Sequence, residues 1–185
     1  VKAFLKRKNI EISARRYGID ALRAMAQALF ASLLIGTIIS TIGEQADIEI
    51  LIQIGGYAKD ATGAAMAVAI GYALKCPPLV LFSLIAVGGA SNALGGAGGP
   101  LAVLVIGIIA SEFGKAVSKE TKLDIIVTPS VTIIIGVLLS MWWAPAIGTA
   151  ANAVGSAVMW ATDLQPFLVG VIVSVLLGVA LALPI

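Results

Sequence analysis

Histidine is absent from the 185 residues, and cysteine occurs once, as Cys76. Without histidine, this chain alone cannot assemble a Cys/His zinc site, a Ser-His-Asp triad or a phosphohistidine. A single cysteine excludes an internal disulfide. Cys76 precedes Pro77-Pro78 and borders an apolar arm, which is a poor setting for the exposed, stabilised thiolate that phosphoryl chemistry needs. Charge is scarce as well: 12% of residues are charged and 59% are hydrophobic, where a soluble domain carries about 25% charged residues. Mean hydropathy is +1.05. So few charges cannot cover so apolar a chain in water, and the sequence reads as an integral membrane protein.

The few cations are unevenly placed. Seven of the twelve, Lys2, Lys6, Arg7, Lys8, Arg15, Arg16 and Arg23, precede position 24. Membrane topology accounts for such a cluster beside an apolar run, and nucleic-acid binding is not expected. Residues 1–23 are read as a basic cytoplasmic lead-in, amphipathic and lying on the headgroups. Residues 24–185 are read as the transmembrane domain. The basic stretch is long for a signal peptide, so an uncleaved anchor is expected.

Long hydrophobic runs fill the rest. Ala24 to Gly43 is uncharged over twenty residues, enough to cross a core of about 30 Å at 1.5 Å per residue. Glu44, Asp47 and Glu49 follow and suit the outer face. A second crossing begins near Ile50 and ends near Leu74. It carries Lys59 and Asp60, which are candidate pathway contacts because ionisable groups at membrane depth are costly; an interfacial position is the plainer reading. Gly63, Ala67 and Gly71 form a small-residue stripe for close helix approach. Cys76 to Ser111 is uncharged over 36 residues, too long for one crossing, and must turn. Its centre, Gly88 to Pro100, carries the densest glycine in the chain. Its flanks are two full spans or a re-entrant hairpin, and the sequence leaves both open. The Glu112 to Asp124 connection, with Lys115, Lys119 and Lys122, is placed in the cytoplasm. Ile125 to Trp143 is a further span, closed at the far interface by Trp142, Trp143 and Pro145. Ala146 to Thr162 is a separate small-residue segment, and Leu164 to Leu183 a last span. The fold class expected is all-α: a polytopic transmembrane helical bundle with a glycine-rich broken or re-entrant hairpin.

Within lipid, irregular backbone survives only where protein buries it or where it lines a polar cavity. Gly88, Gly89, Ser91, Asn92, Gly95, Gly96, Gly98, Gly99 and Pro100 are therefore the candidate solute-binding set. Free backbone groups, the positive end of the helix starting near Pro100, and the Ser91 and Asn92 side chains would meet a polar solute. The competing reading is a tight turn with glycines for close packing. The string is not a phosphate loop, because no Gly-Lys-Ser/Thr follows it. Glu112 and Lys115 stand at helical spacing and are expected as a salt-bridged surface pair, with docking of a cytoplasmic partner as the sharper alternative. Asn152, Asp163 and Gln165 complete the candidate pathway contacts, against ordinary interface solvation. No catalytic residue, metal ligand or cofactor is expected.

Three stretches resemble a known family. They are Gly88 to Val103 (GGASNALGGAGGPLAV), Ser111 to Pro129 (SEFGKAVSKETKLDIIVTP) and Met159 to Phe167 (MWATDLQPF). The family is the enzyme IIC-like group of the phosphoenolpyruvate-dependent sugar phosphotransferase system, which includes perfringolysin regulator-like proteins. The resemblance covers essentially the whole chain, which corresponds to the N-terminal half of a longer member. It implies a permease component that binds a sugar or related polar solute and moves it by alternating access, with no covalent chemistry of its own. It also implies a multi-pass protein of the bacterial cytoplasmic membrane; the placement of lysine and arginine puts the N-terminus inside. Enzyme IIB and IIA proteins and a second copy of the chain are the candidate protein partners, beside the lipid bilayer. The regulator-like members supply the rival function: a membrane sensor that binds a ligand without transporting it.

Overall fold

Within the described residues the uncharged runs fold as helices. The computed structural model describes residues 2–164, 170, 171, 174 and 175, and these contain eight α-helices. After the short α1 (Lys2–Arg7), one long helix spans Arg15–Ala46. It holds two regular stretches, α2 (Ala21–Leu29) and α3 (Ile35–Ala46), and two wider π-type segments, Arg15–Asp20 and Phe30–Leu34. In and beside the second of these, the Ser32 and Thr37 hydroxyls donate to the carbonyls four residues back. Asp47 takes a left-handed conformation and Ile48 N–H bonds the Gly43 carbonyl, which ends the helix.

The chain then returns. α4 (Glu49–Asp60) and α5 (Thr62–Ala73) follow one another across Ala61. Ala61 N–H still bonds Tyr57 O (3.2 Å), and its carbonyl accepts from Ala65 N–H (2.9 Å), so the two helices form one interrupted return crossing. α4 lies along α3 where glycines permit it: a Cβ on Gly36 would sit 2.9 Å from Gly55 O. α5 lies along α2.

Pro77 is extended and Pro78 opens α6 (Pro78–Gly95), where a missing N–H is harmless. A short 3₁₀ turn, Gly96–Gly98, leads into α7 (Gly99–Val117). The two helices are antiparallel, because Gly114 near the end of α7 meets Val80 near the start of α6, and Gly95 meets Ala102. Their 18 and 19 residues correspond to about 27–28 Å each, so each arm is long enough to cross a bilayer core. The glycine-rich string is less irregular than its composition suggests: Gly88 to Gly95 is helical, and the break is confined to three residues. Glycine is tolerated in such a helix because close approach to neighbours offsets its weak helix propensity.

α8 (Asp124–Leu164) runs beside α6 and α7. Gly136 meets Val87, and Gly148 meets the Gly95 carbonyl. No break occurs at Trp142 to Pro145, where the sequence suggested the end of a span; Pro145 lies inside the helix. The loss of one backbone donor is tolerated here because Ala144, Gly148 and Ala151 form the face that packs on the α6–α7 turn. Of the last span expected from Leu164 to Leu183, Leu164, Gly170, Val171, Ser174 and Val175 are described and are helical, and the rest lies outside the described residues.

The interior combines apolar side chains such as Met66, Ile70, Leu84 and Ile106 with hydroxyls, and the exterior is apolar as well. Ser83, Ser91, Ser111, Thr128, Thr132 and Ser140 are buried, whereas Phe82, Ile85, Leu101, Ile134, Leu138 and Met141 are exposed. Such an apolar outside suits lipid as the solvent. Three helical runs among the described residues, Arg15–Ala46, Pro78–Val117 and Asp124–Ser156, are long and apolar enough to cross a membrane; the second is the hairpin folded on itself.

Candidate functional site

At the hairpin turn, Gly96 adopts φ +50°, a conformation that L side chains rarely accept. Gly96 and Ala97 are exposed, whereas Gly95, Gly98 and Gly99 are buried. Gly98 rests on α8, 2.9 Å from a would-be Cβ to Ile147 O, and Gly99 rests on Asn92. Gly88 packs directly on Gly63 of α5, while Gly89 has nothing within 4 Å of its would-be Cβ. The glycines thus divide into packing positions and an exposed turn.

The polar side chains here differ in availability. The fully buried Ser91 hydroxyl lies 2.8 Å from that of Ser140, and each is 2.7 Å from the carbonyl four residues back on its own helix. One hydroxyl donates across the interface while the other donates along its helix, so Ser91 joins α6 to α8 and has little left for a solute. Asn92 of α6 is half-buried against Gly99 in the first turn of α7, and its Cβ lies against Gly63. That contact brings the α4–α5 joint to the hairpin. At the joint, Asp60 is exposed, Lys59 is half-buried with its stem against Gly36, and the buried Thr62 hydroxyl has no hydrogen-bond partner among the described residues. Thr62 was not legible as a site residue, since a threonine beginning a helix usually passes as a cap. Pro100 is half-buried, and Asn152 is exposed on α8 next to Ala151, which packs on Gly98. Asp163 lies in the last turn of α8. Gln165 falls outside the described residues.

At the opposite end, Glu112 and Lys115 of α7 do form an ion pair, with Lys115 Nζ 2.9 Å from Glu112 Oε1. The pair is not on the surface, however: the Lys115 side chain is 1% exposed and that of Glu112 16%. Lys115 also donates to Leu74 O (3.2 Å) and Asn9 O (3.1 Å), which uses all three ammonium donors. Arg16 donates to Leu74 O (2.6 Å) and Asn9 Oδ1 (3.1 Å). The reason is the end of α5, whose last carbonyls lack intrahelical donors and carry the negative end of the dipole. The i,i+3 spacing revealed the pair, but only the return of residues 9–16 over it makes it buried.

The same N-terminal segment reaches the α7–α8 link. Arg7 pairs with Glu120 at 2.6 Å, and Lys8 bonds Glu120 and the Ser118 carbonyl. The hydrogen bond from Lys8, followed by the charge of Arg7, holds the Glu120 carboxyl below the usual carboxylate range. These links are therefore in place at neutral pH and weaken as pH falls through that lowered pKa.

Burial pushes the Cys76 thiol up to about 11, against the opposing pull of the Lys115 charge. A raised thiol pKa leaves almost no thiolate at neutral pH. In the folded protein Cys76 is expected to react with a maleimide about tenfold or more slowly than a cysteine placed at the exposed Ile12 (Ile12→Cys in a Cys76→Ser background). Equal labelling rates at pH 7.5 would show that the site is open.

Crossing helices, a lipid-compatible exterior and hydroxyls turned inward define a polytopic α-helical membrane protein. Residues 19–185 match the family described as Phosphotransferase system, EIIC, and the chain belongs to that family. Nothing among curated proteins or solved structures matches it.

Proposed function

We propose that this chain is the membrane permease part of a phosphotransferase system, binding a sugar or related polar solute and moving it by alternating access. Family membership over residues 19–185 carries the reading. The α6–α7 hairpin supports it, because its short turn combines exposed backbone at Gly96 and Ala97 with the half-buried Asn92. Asn92 offers both a donor and an acceptor for sugar hydroxyls. Ser91, Gly95, Gly98 and Gly99 hold the turn, Pro100 starts α7, and Lys59, Asp60 and Asn152 flank the approach. Cytoplasmic enzyme IIB and IIA proteins would supply the phosphoryl chemistry. The basic end faces the cytoplasm of a bacterial cell in this reading, as lysine and arginine bias requires, and the acidic Glu44, Asp47 and Glu49 face outward.

The test is uptake and phosphorylation of a labelled sugar panel in cells expressing the gene. Sugar-specific accumulation is expected, together with its loss in a Gly95→Leu/Gly96→Leu variant that still reaches the membrane. Leucine at Gly96 is strained at φ +50°, and at Gly95 it meets Ala102. No accumulation by the inserted wild-type protein would reject transport in favour of a ligand sensor. Normal uptake by the variant would remove the hairpin turn as the site.

A further inference from the structure

Three helix ends, those of α1, α5 and α7, converge at the basic end around a cavity of about 330 Å³. Five cations line it, Arg7, Lys8, Lys75, Lys115 and Lys119, against the single carboxylate of Glu120. Among the described residues four non-glycines have positive φ, and three of them stand here: Asn9 (54°), Lys75 (57°) and Lys119 (61°). Glycine is the usual residue at such a helix end. Lysine at two of them puts a cationic residue in the lining at some conformational cost, a pattern that concentrates at functional sites. Ser118 belongs to the same lining and is 4% exposed, and its buried hydroxyl has no hydrogen-bond partner among the described residues. Buried polar groups are seldom left so.

The charges do not cancel internally. Glu120 is shared by Arg7 and Lys8, and Glu112 is taken by Lys115. Asp124 accepts from Lys119 N–H and from the Thr128 hydroxyl. Helix C-termini would repel an anion, but the Asn9, Leu74 and Ser118 carbonyls are already covered by Lys115, Arg16 and Lys8. The side chains of Lys75 and Lys119 form no ion pair among the described residues, although the Lys119 charge is one of the smaller influences that hold the Asp124 carboxyl low.

We infer that this cavity binds a phosphate group, with the Ser118 hydroxyl and the Lys75 and Lys119 ammonium groups as its ligands. Phosphate oxygens accept several charge-assisted hydrogen bonds at once, which suits two lysines and a spare hydroxyl. The group comes either from an anionic lipid headgroup at the membrane face or from a soluble phosphate. The inference stands apart from the solute proposed at the hairpin.

Two arms distinguish the sources. In phosphatidylcholine nanodiscs, inorganic phosphate is titrated against the melting temperature of the full chain. In mixed nanodiscs, native mass spectrometry compares retained phosphatidylglycerol with phosphatidylcholine. Lys75→Asn/Lys119→Asn keeps residues that accept a left-handed backbone, and Ser118→Ala removes only the unpartnered hydroxyl. Lys122→Asn, on the same link but outside the cavity lining, is the control. Phosphate stabilisation of the wild type identifies a soluble ligand, and preferential retention of phosphatidylglycerol identifies a headgroup. In either case the double variant is expected to lose about tenfold in affinity, Ser118→Ala to lose part of that, and Lys122→Asn to retain it. Binding of neither probe to the wild type, undiminished binding to the double variant, or an equal loss in Lys122→Asn would overturn the inference.

Discussion

Gly88→Leu is expected to force α5 and α6 apart and to lower stability sharply, while Gly89→Leu on the next turn position changes it little. A Cβ at Gly88 would overlap the Gly63 carbonyl oxygen and crowd Ala67, whereas at Gly89 it meets nothing within 4 Å. The obstacle at Gly88 is partly backbone, which cannot rotate away as a side chain can. Overpacking of this kind costs about 1–3 kcal/mol and sometimes more. An unobstructed, exposed position stays within about 0.5 kcal/mol, and leucine's better helix propensity adds to it. In lipid there is little hydrophobic drive to re-seal the two helices, because the lipid tails are as apolar as the side chains they would replace. Reversible unfolding of both variants in mixed detergent micelles gives the comparison. Equal midpoints would mean that α5 and α6 do not meet at these glycines. Gly63→Leu should behave like Gly88→Leu, since its Cβ would lie 2.5 Å from Gly88 O.

Removing one member of the Glu112–Lys115 pair is expected to cost more than removing both. Lys115→Met leaves Glu112 as a largely buried carboxylate without its ammonium and frees the Asn9 carbonyl, while Leu74 O keeps Arg16. Breaking a buried pair from one side costs about 3–5 kcal/mol. Glu112→Leu/Lys115→Met removes the stranded charge and should recover most of that loss, though not all, because the Asn9 carbonyl still lacks its donor. A double-mutant cycle on unfolding free energies measures the coupling, expected to exceed about 1 kcal/mol. A coupling near zero would return the pair to the solvated surface position that its spacing alone suggests.

These contrasts separate what was readable from what was not. The membrane class, the helical fold and the need for Cys76 to Ser111 to turn followed from composition and length, because a bilayer of fixed thickness makes them matters of arithmetic. The turn was locatable near Gly96 through glycine density. Its extent was not: Gly88 to Gly95 continues as helix because α5 and α8 approach closely enough for glycine to be the fitting residue, which is a property of the neighbours. Likewise Pro145 looked like an end and is an interior residue, because the face carrying Ala144, Gly148 and Ala151 has the hairpin turn to pack on.

The sequence by itself determined that this is a polytopic helical membrane chain with its cations, Lys59 apart, gathered before and between spans, since the solvent dictates those features residue by residue. Only the tertiary structure decided which polar groups are spent on holding helices together and which stay available. Ser91 is committed to Ser140 and Lys115 to the end of α5, while the Thr62 and Ser118 hydroxyls have no hydrogen-bond partner among the described residues. That division depends on contacts between residues far apart in the chain, such as Asn9 with Lys115 and Gly63 with Asn92. Local spacing and propensity carry no information about such pairs.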